Sequence, residues 1–344
     1  MELRWGAIAV WVLALAMSGP AAAEAPAVPE PELIQALAAC DAQHEPDACY
    51  RAAIDRFQDR IPLEQMAAVI ERARPTCHSE AHELGRLAYA RLGGLDPATA
   101  ACSRSCASGC FHGVVAAHFT DHLAGASPAA LRREMVAICG RPEVLQLHRK
   151  GSCAHAMGHV GLIVGAGQLE PALDLCGGFN PGALRDYCAR GVFMEHRGGH
   201  SGGHASEDDL HSPCARFPRH AEACYRYQIA YMATRLKLER GLAAVAPLAA
   251  ECRRPATAGV RRGCFRGIGF YFWPLVVNQP QALPQVCAAG SRGERAACVA
   301  GAVEKLKDYD LERGRQACAG LTAAQRPGCV HALERGFYAL SDDP

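Results

Sequence analysis

The cysteines of this chain alternate between long and short intervals, and this spacing constrains the fold more than any other feature. One cysteine opens an apolar segment and a later one closes another, as from Cys153 to Cys176, with a glycine turn between them. Such an interval fits two helices of about ten residues and a turn, because each helical residue rises about 1.5 Å. A short interval, as from Cys252 to Cys264, then leads to the next opening cysteine. The pattern predicts a row of αα-hairpins.

The short intervals also predict how the cysteines pair. If each closing cysteine bonds the next opening one, the pairs are Cys40–Cys49, Cys139–Cys153, Cys176–Cys188, Cys214–Cys224, Cys252–Cys264, Cys287–Cys298 and Cys318–Cys329. The rival scheme, with bonds inside each long interval, leaves Cys40, Cys49 and Cys329 without partners. Sequence alone does not determine connectivity, but this count favours the short-interval scheme.

Four cysteines remain: Cys77, Cys102, Cys106 and Cys110. Cys77 pairs with Cys102 or Cys106, and Cys110 takes the other; the spacing favours Cys77–Cys106 and Cys102–Cys110. An alternative is that Cys102, Cys106 and Cys110, spaced by four, present thiolates for copper(I) on one helix face. Export to an oxidising compartment and the need for a partner for Cys77 favour disulfides.

The N-terminal residues predict export. Arg4 precedes an apolar run that ends in three alanines at 21–23, the pattern of a signal peptide over residues 1–23. The run is shorter than the roughly 20 residues that span a bilayer, although an uncleaved anchor is the alternative. A proline-rich lead-in follows at 24–32, and no later segment is predicted to span a membrane. The mature protein is therefore predicted to be periplasmic or secreted.

Residues 33–340 are predicted to form a single all-α domain, a disulfide-stapled αα-hairpin repeat solenoid. Alanine and leucine are frequent, and no series of alternating strand-like segments occurs. Asp96-Pro97, Ser127-Pro128 and Asn180-Pro181 each pair a capping residue with proline, which is typical of a helix start.

The segment HELGRLAY at 82–89, followed by Gly93-Gly94, resembles the L-G-x-L-Y helix of the Sel1-like, cysteine-rich αα-hairpin repeats of secreted bacterial proteins. Elsewhere the leucine–glycine–tyrosine signature is missing and the repeat length varies. The resemblance implies a curved solenoid that binds a protein or peptide on its surface. It transfers no catalytic residues.

The histidines are concentrated in the middle repeats, roughly 77–211. Some are spaced by four residues, which puts two imidazoles on one helix face and provides half of a tetrahedral zinc or copper site. Equivalent positions of stacked repeats line one surface, so histidines of neighbouring hairpins are predicted to converge. The predicted ligands of this group are His78, His82, His112, His118, His155 and His159.

The alternative for this group is a structural hydrogen-bonding role. His112 and His155 lie two residues after an opening cysteine, a slot that arginine fills in other repeats, as in Cys188-Ala-Arg-Gly and Cys264-Phe-Arg-Gly. Glycine follows this slot in Cys110-Phe-His-Gly and in both arginine repeats. Because glycine in a helix costs about 1 kcal/mol relative to alanine, its recurrence predicts close helix–helix approach.

A second histidine group lies in MEHRGGHSGGH, where His196, His200 and His204 are spaced by four. Four glycines argue against a helix, so this segment is predicted to be either a loop that wraps a metal ion or an exposed insertion. It also contains a formal G-x-S-x-G match with Ser201 as the nucleophile. A nucleophile elbow needs a strand before the serine and a parallel sheet around it, and no sheet is predicted.

Together these features predict an exported binding protein that holds zinc or copper through histidines. A metal-free protein-interaction scaffold is the first alternative. The second is an extracytoplasmic hydrolase with Glu80, Glu83 or Glu195 as base, or with Ser201 as nucleophile; an enzyme is the less expected outcome, and no catalytic residue is predicted. A net charge of +1 without a basic tract argues against nucleic acid. No C-x-x-C occurs, so haem attachment has no support, and no nucleotide cofactor is predicted.

Overall fold

The computed structural model describes residues 30–41, 46–74, 77–198, 209–239 and 241–336, and within these ranges the chain is helical without any β-strand. The all-α prediction is confirmed. The predicted signal peptide, most of the lead-in and the loop residues His200, Ser201 and His204 lie outside the described ranges. None of the described helices is long and apolar enough to cross a bilayer.

The described part of the chain consists mainly of α-helices. In chain order they are α1 (Glu30–Cys40), α2 (Pro46–Phe57), α3 (Leu63–Ala73), α4 (His78–Leu92), α5 (Leu95–Ala101), α6 (Ser105–His122), α7 (Pro128–Ile138), α8 (Pro142–Leu147), α9 (Lys150–Val164), α10 (Leu169–Cys176), α11 (Gly182–Gly198), α12 (Ala221–Arg235), α13 (Val245–Cys252), α14 (Ala258–Tyr271), α15 (Trp273–Asn278), α16 (Leu283–Val286), α17 (Arg292–Val303), α18 (Leu306–Tyr309), α19 (Leu311–Ala319) and α20 (Arg326–Arg335). Short 3₁₀ turns occur at Cys214–Arg216, Pro218–His220, Leu242–Ala244 and Pro280–Ala282.

All eighteen cysteines lie in the described ranges, and the structure joins them in nine disulfides with none left free. The pairs are Cys40–Cys49, Cys77–Cys106, Cys102–Cys110, Cys139–Cys153, Cys176–Cys188, Cys214–Cys224, Cys252–Cys264, Cys287–Cys298 and Cys318–Cys329. Seven of them are the pairs of the short-interval scheme, and Cys77–Cys106 and Cys102–Cys110 are the pairs that the spacing favoured for the remaining four cysteines. Because Cys102, Cys106 and Cys110 are all oxidised, they offer no thiolates to copper(I).

The helices that follow the opening cysteines pack in a row. In sequence order α2, α4, α6, α9, α11, α12, α14, α17 and α20 each contact the next. Shorter helices that lead to the closing cysteines, such as α10 and α13, pack beside them. Most disulfides therefore join the end of a short helix to the start of a helix in the row.

Glycines bring neighbouring helices of the row into backbone contact. A Cβ built on Gly85 would lie 1.9 Å from the carbonyl oxygen of Cys110, and one on Gly113 would lie 1.9 Å from that of His82. The pair α9 and α11 repeats this arrangement. A Cβ built on Gly158 would lie 2.0 Å from a backbone carbonyl oxygen of α11, and one built on Gly191 would lie 1.9 Å from a backbone carbonyl oxygen of α9. Only glycine fits at this separation, so the close approach expected from the sequence is present.

Candidate metal centre

Four histidines from three helices of the row converge in the interior. His78 and His82 lie on α4, His112 lies on α6 and His159 lies on α9. One ring nitrogen from each residue falls within 4.8 Å of those of the other three. A fifth histidine, His155 on α9, adjoins this set, and its ring centroid lies 4.9 Å from that of His159 and 5.5 Å from that of His112. We call these five residues the histidine cluster.

Two pairs within the histidine cluster have the nitrogen spacing of metal ligands. The Nε2 atoms of His78 and His82 are 3.1 Å apart, and those of His155 and His159 are 3.2 Å apart. Two nitrogens bound tetrahedrally at about 2.05 Å to one zinc ion are about 3.3 Å apart. Each contact is also a hydrogen-bond distance, so a metal ion can replace the shared proton with little change in geometry.

His112 is the central member of the histidine cluster. Its ring centroid lies 4.9 Å from that of His78, 5.4 Å from His82 and 5.1 Å from His159. The residue is fully buried, and neither ring nitrogen has a hydrogen-bond partner in the described part of the chain. A neutral imidazole must carry one N–H, and burying such a group without a partner costs about 1–3 kcal/mol. A structural hydrogen-bonding role therefore does not explain His112.

A backbone carbonyl orients His78. The Nδ1–H of His78 donates to the carbonyl oxygen of Cys106 at 2.9 Å. Because the carbonyl only accepts, this bond fixes the tautomer and leaves the Nε2 lone pair for the cluster. The carbonyl is held by an unusual backbone: Cys106, Ala107 and Ser108 have φ values of 52°, 52° and 63°, the left-handed region that non-glycine residues avoid.

Two disulfides support this left-handed segment. Cys77, the residue before His78, bonds Cys106, and Cys102 bonds Cys110 beyond the segment. Left-handed non-glycine residues cost of the order of 1–3 kcal/mol each and persist only where their surroundings impose them. The cross-links therefore help to fix the acceptor of His78.

A buried carboxylate orients His159. The Oε2 of Glu195 on α11 accepts a hydrogen bond from the Nδ1–H of His159 at 2.9 Å. Both side chains are buried. A carboxylate behind a histidine is the usual support of a metal ligand, because it sets the ring orientation and raises the basicity of the other nitrogen. Glu195, predicted as a candidate base, thus contacts the histidine cluster through His159.

Burial favours the neutral form of three histidines of the cluster. Desolvation lowers the pKa of His78 to about 3, and the neighbouring His159 lowers it further. Burial likewise lowers the pKa values of His112 and His155 far below their usual range, with neighbouring histidines as a further cause. Neutral imidazoles with available lone pairs are the form that coordinates metal ions.

Other predicted ligands lie elsewhere. His118 is not part of the cluster: its Nδ1 lies 3.3 Å from the hydroxyl oxygen of Tyr89 and its Nε2 lies 3.7 Å from Oε1 of Glu134. It follows His112 by six residues on α6, which turns it about 240° around the helix axis. His196 is buried on α11, one residue after Glu195, but is not among the four converging histidines.

The remaining candidate bases are engaged by arginines. The buried carboxylate of Glu80 binds the guanidinium of Arg74 at 2.6 Å, and that of Glu83 binds Arg51 at 2.6 Å. Neither carboxylate is among the residues that converge with the four histidines.

Sequence reasoning missed a buried ionic cluster on the later helices of the row. Arg226 and Arg266 both pair with the buried carboxylate of Glu304. Burial alone would raise the pKa of Glu304, but the charges of Arg226, Arg266 and Arg190 outweigh burial and lower it to about 2. These arginines occupy the slot two residues after an opening cysteine, the slot of His112 and His155. Comparing the residue at this position in every repeat would have indicated a line of polar side chains that face the interior.

Comparisons with known proteins identify no relative. No family model matches the chain, and neither the curated proteins nor the solved structures contain a match. The resemblance to Sel1-like repeats gains no support from these comparisons.

Proposed function

We propose that this protein is an exported binding protein whose histidine cluster holds a divalent transition-metal ion, zinc or copper. The observation that carries the proposal is His112, a fully buried imidazole with no partner for either ring nitrogen in the described ranges, surrounded by the rings of four other histidines. A bound ion satisfies the otherwise unpaired buried nitrogen.

The donor set supports zinc or copper. Imidazole nitrogens suit these ions, whereas calcium and magnesium prefer oxygen ligands. Four converging histidines, His78, His82, His112 and His159, complete a tetrahedral ion without a further ligand. A single ion held by all four histidines would keep no open position, whereas a catalytic zinc keeps one for water or substrate.

Nine disulfides support export to an oxidising compartment, where such bonds form and persist. The order in which the row helices contact one another supports a solenoid of αα-hairpins. The competing function is a metal-free interaction scaffold. It would have the same disulfides and the same row of helices, so metal content distinguishes the two functions.

The test is elemental analysis of the mature protein, purified from its exported compartment without a histidine tag. We expect about one or more equivalents of zinc or copper. The metal content should fall in a His78→Ala/His82→Ala variant that keeps its helical circular dichroism, and stay unchanged in the matched His118→Ala variant. A wild-type protein that stays metal-free after incubation with zinc or copper and dialysis would overturn the proposal.

A further inference from the structure

We infer that the histidine cluster binds two metal ions and that His112 bridges them as an imidazolate. This inference rests on the proposed function and concerns the number of ions and their arrangement. The first ion binds His78, His82 and one nitrogen of His112. The second binds His155, His159 and the other nitrogen of His112.

The ligand pairs are present in duplicate. The Nε2 atoms of His78 and His82 form one edge at 3.1 Å, and those of His155 and His159 form a second edge at 3.2 Å. Each edge comes from one helix through an i,i+4 spacing. In the first edge His78 donates a hydrogen bond to the carbonyl oxygen of Cys106, and in the second His159 donates one to the carboxylate of Glu195. A single tetrahedral ion would use the four converging histidines, a set that does not include His155.

His112 is about equally distant from the two edges. Its ring centroid is 4.9 and 5.4 Å from the rings of the first edge and 5.5 and 5.1 Å from those of the second. One ion would bind one nitrogen of His112 and leave the other buried without a partner in the described part of the chain. Two ions satisfy both nitrogens and, with metal–nitrogen bonds of about 2 Å, lie roughly 6 Å apart across the ring.

Binding of the second ion needs no oxidant or reductant. When the second ion binds, it replaces the N–H proton of neutral His112, and that proton passes to solvent. The imidazolate then carries a negative charge between the two cations, and the carboxylate of Glu195 lies behind His159 on the second edge. Both charges offset the repulsion between the ions. Each ion has three nitrogen ligands and keeps a fourth position for water or a small ligand, which the four-histidine site with one ion lacks.

The first test counts ions in protein loaded with zinc(II) and freed of excess by dialysis. We expect about two equivalents in the wild type, about one in His155→Ala and about one in His78→Ala. The matched His118→Ala variant should keep two. One equivalent in both wild type and His155→Ala would overturn the two-ion arrangement and leave the proposed function intact, whereas no bound metal at all would refute the proposed function itself.

The second test addresses the bridge, using protein loaded with copper(II). An imidazolate couples the spins of two copper(II) ions, so the electron paramagnetic resonance intensity per copper should fall well below that of the His155→Ala variant, which holds one ion. Calorimetry in buffers of different ionisation enthalpy should show one additional proton released with the second ion. Two equivalents with full intensity per copper and no additional proton would overturn the bridge.

Discussion

The carboxylate of Glu195 and the imidazole of His159 form a buried hydrogen bond of 2.9 Å that joins α11 to α9. The bond requires the proton of His159 to stand on Nδ1, since a carboxylate only accepts. The Nε2 lone pair is therefore directed to the centre of the histidine cluster before any ion arrives.

Glu195→Gln should weaken metal binding, because a glutamine side chain can donate as well as accept and no longer enforces this tautomer. Loss of an orienting partner typically costs 10–100-fold in affinity, and we expect about that loss. The measurement is competition with a chromophoric chelator for zinc. Glu170→Gln, at a carboxylate exposed on the surface, is the matched control and should bind as the wild type does; equal affinities in both variants would contradict the assigned role.

Removal of the Cys77–Cys106 disulfide should also weaken metal binding. The bond adjoins His78 at one end and holds the carbonyl acceptor of His78 at the other. In a Cys77→Ser/Cys106→Ser variant we expect affinity to fall about 10-fold or more, since His78 loses its fixed tautomer. Chelator competition on the folded variant is the measurement.

The control for this disulfide is Cys318→Ser/Cys329→Ser, which removes the bond between α19 and α20. Each variant loses one cross-link, and a native disulfide typically contributes about 2–5 kcal/mol to stability. Only the first variant should lose metal affinity. Similar losses in both would show that the effect is one of general stability.

Gly113→Ala should destabilise the protein and disturb the site. The added Cβ would lie 1.9 Å from the carbonyl oxygen of His82, so α4 and α6 must separate. Overpacking of this kind costs about 1–3 kcal/mol or more in the free energy of unfolding, which urea denaturation measures. Gly259→Ala, where a Cβ meets nothing within 4 Å, should unfold at the same urea concentration or a slightly higher one. Equal stability of the two variants would refute the close-packing argument.

The metal-free protein should lose stability as the pH falls below about 6.5, where histidines of the unfolded chain begin to bind protons. Burial lowers the pKa of His78 to about 3, so the folded protein does not bind that proton until far lower pH. Between these values the unfolded state binds more protons, and the free energy of unfolding therefore decreases with acid and increases with rising pH. His112 and His155 act in the same direction.

This pH dependence is measured by urea denaturation of chelator-treated protein at several values between pH 7.5 and about 4. A variant with His78→Asn and His112→Asn should show a shallower dependence, since two of the groups no longer titrate. Stability that does not change between pH 7 and 5 would contradict the burial of neutral histidines.

The helical class and the cysteine pairs followed from the sequence because both depend on spacing along the chain. The i,i+4 pairs were likewise predictable, since they need only one helix. His118 could not be excluded in the same way. It shares an i,i+4 spacing with His122 but lies outside the cluster, because packing between helices decides which helix face turns inward. The left-handed backbone at Cys106 has no local signal either, since neither cysteine nor alanine favours it.

The glycine contacts divide the ligands between two preassembled halves. α4 and α6 touch through Gly85 and Gly113, and α9 and α11 touch through Gly158 and Gly191. His78, His82 and His112 belong to the first half, and His155 and His159 belong to the second. An ion that binds ligands from both halves would thus act as a non-covalent cross-link between units that are each held by their own backbone contacts and disulfides. Metal content would then set the mechanical stiffness of the contact between α6 and α9, where the two halves meet.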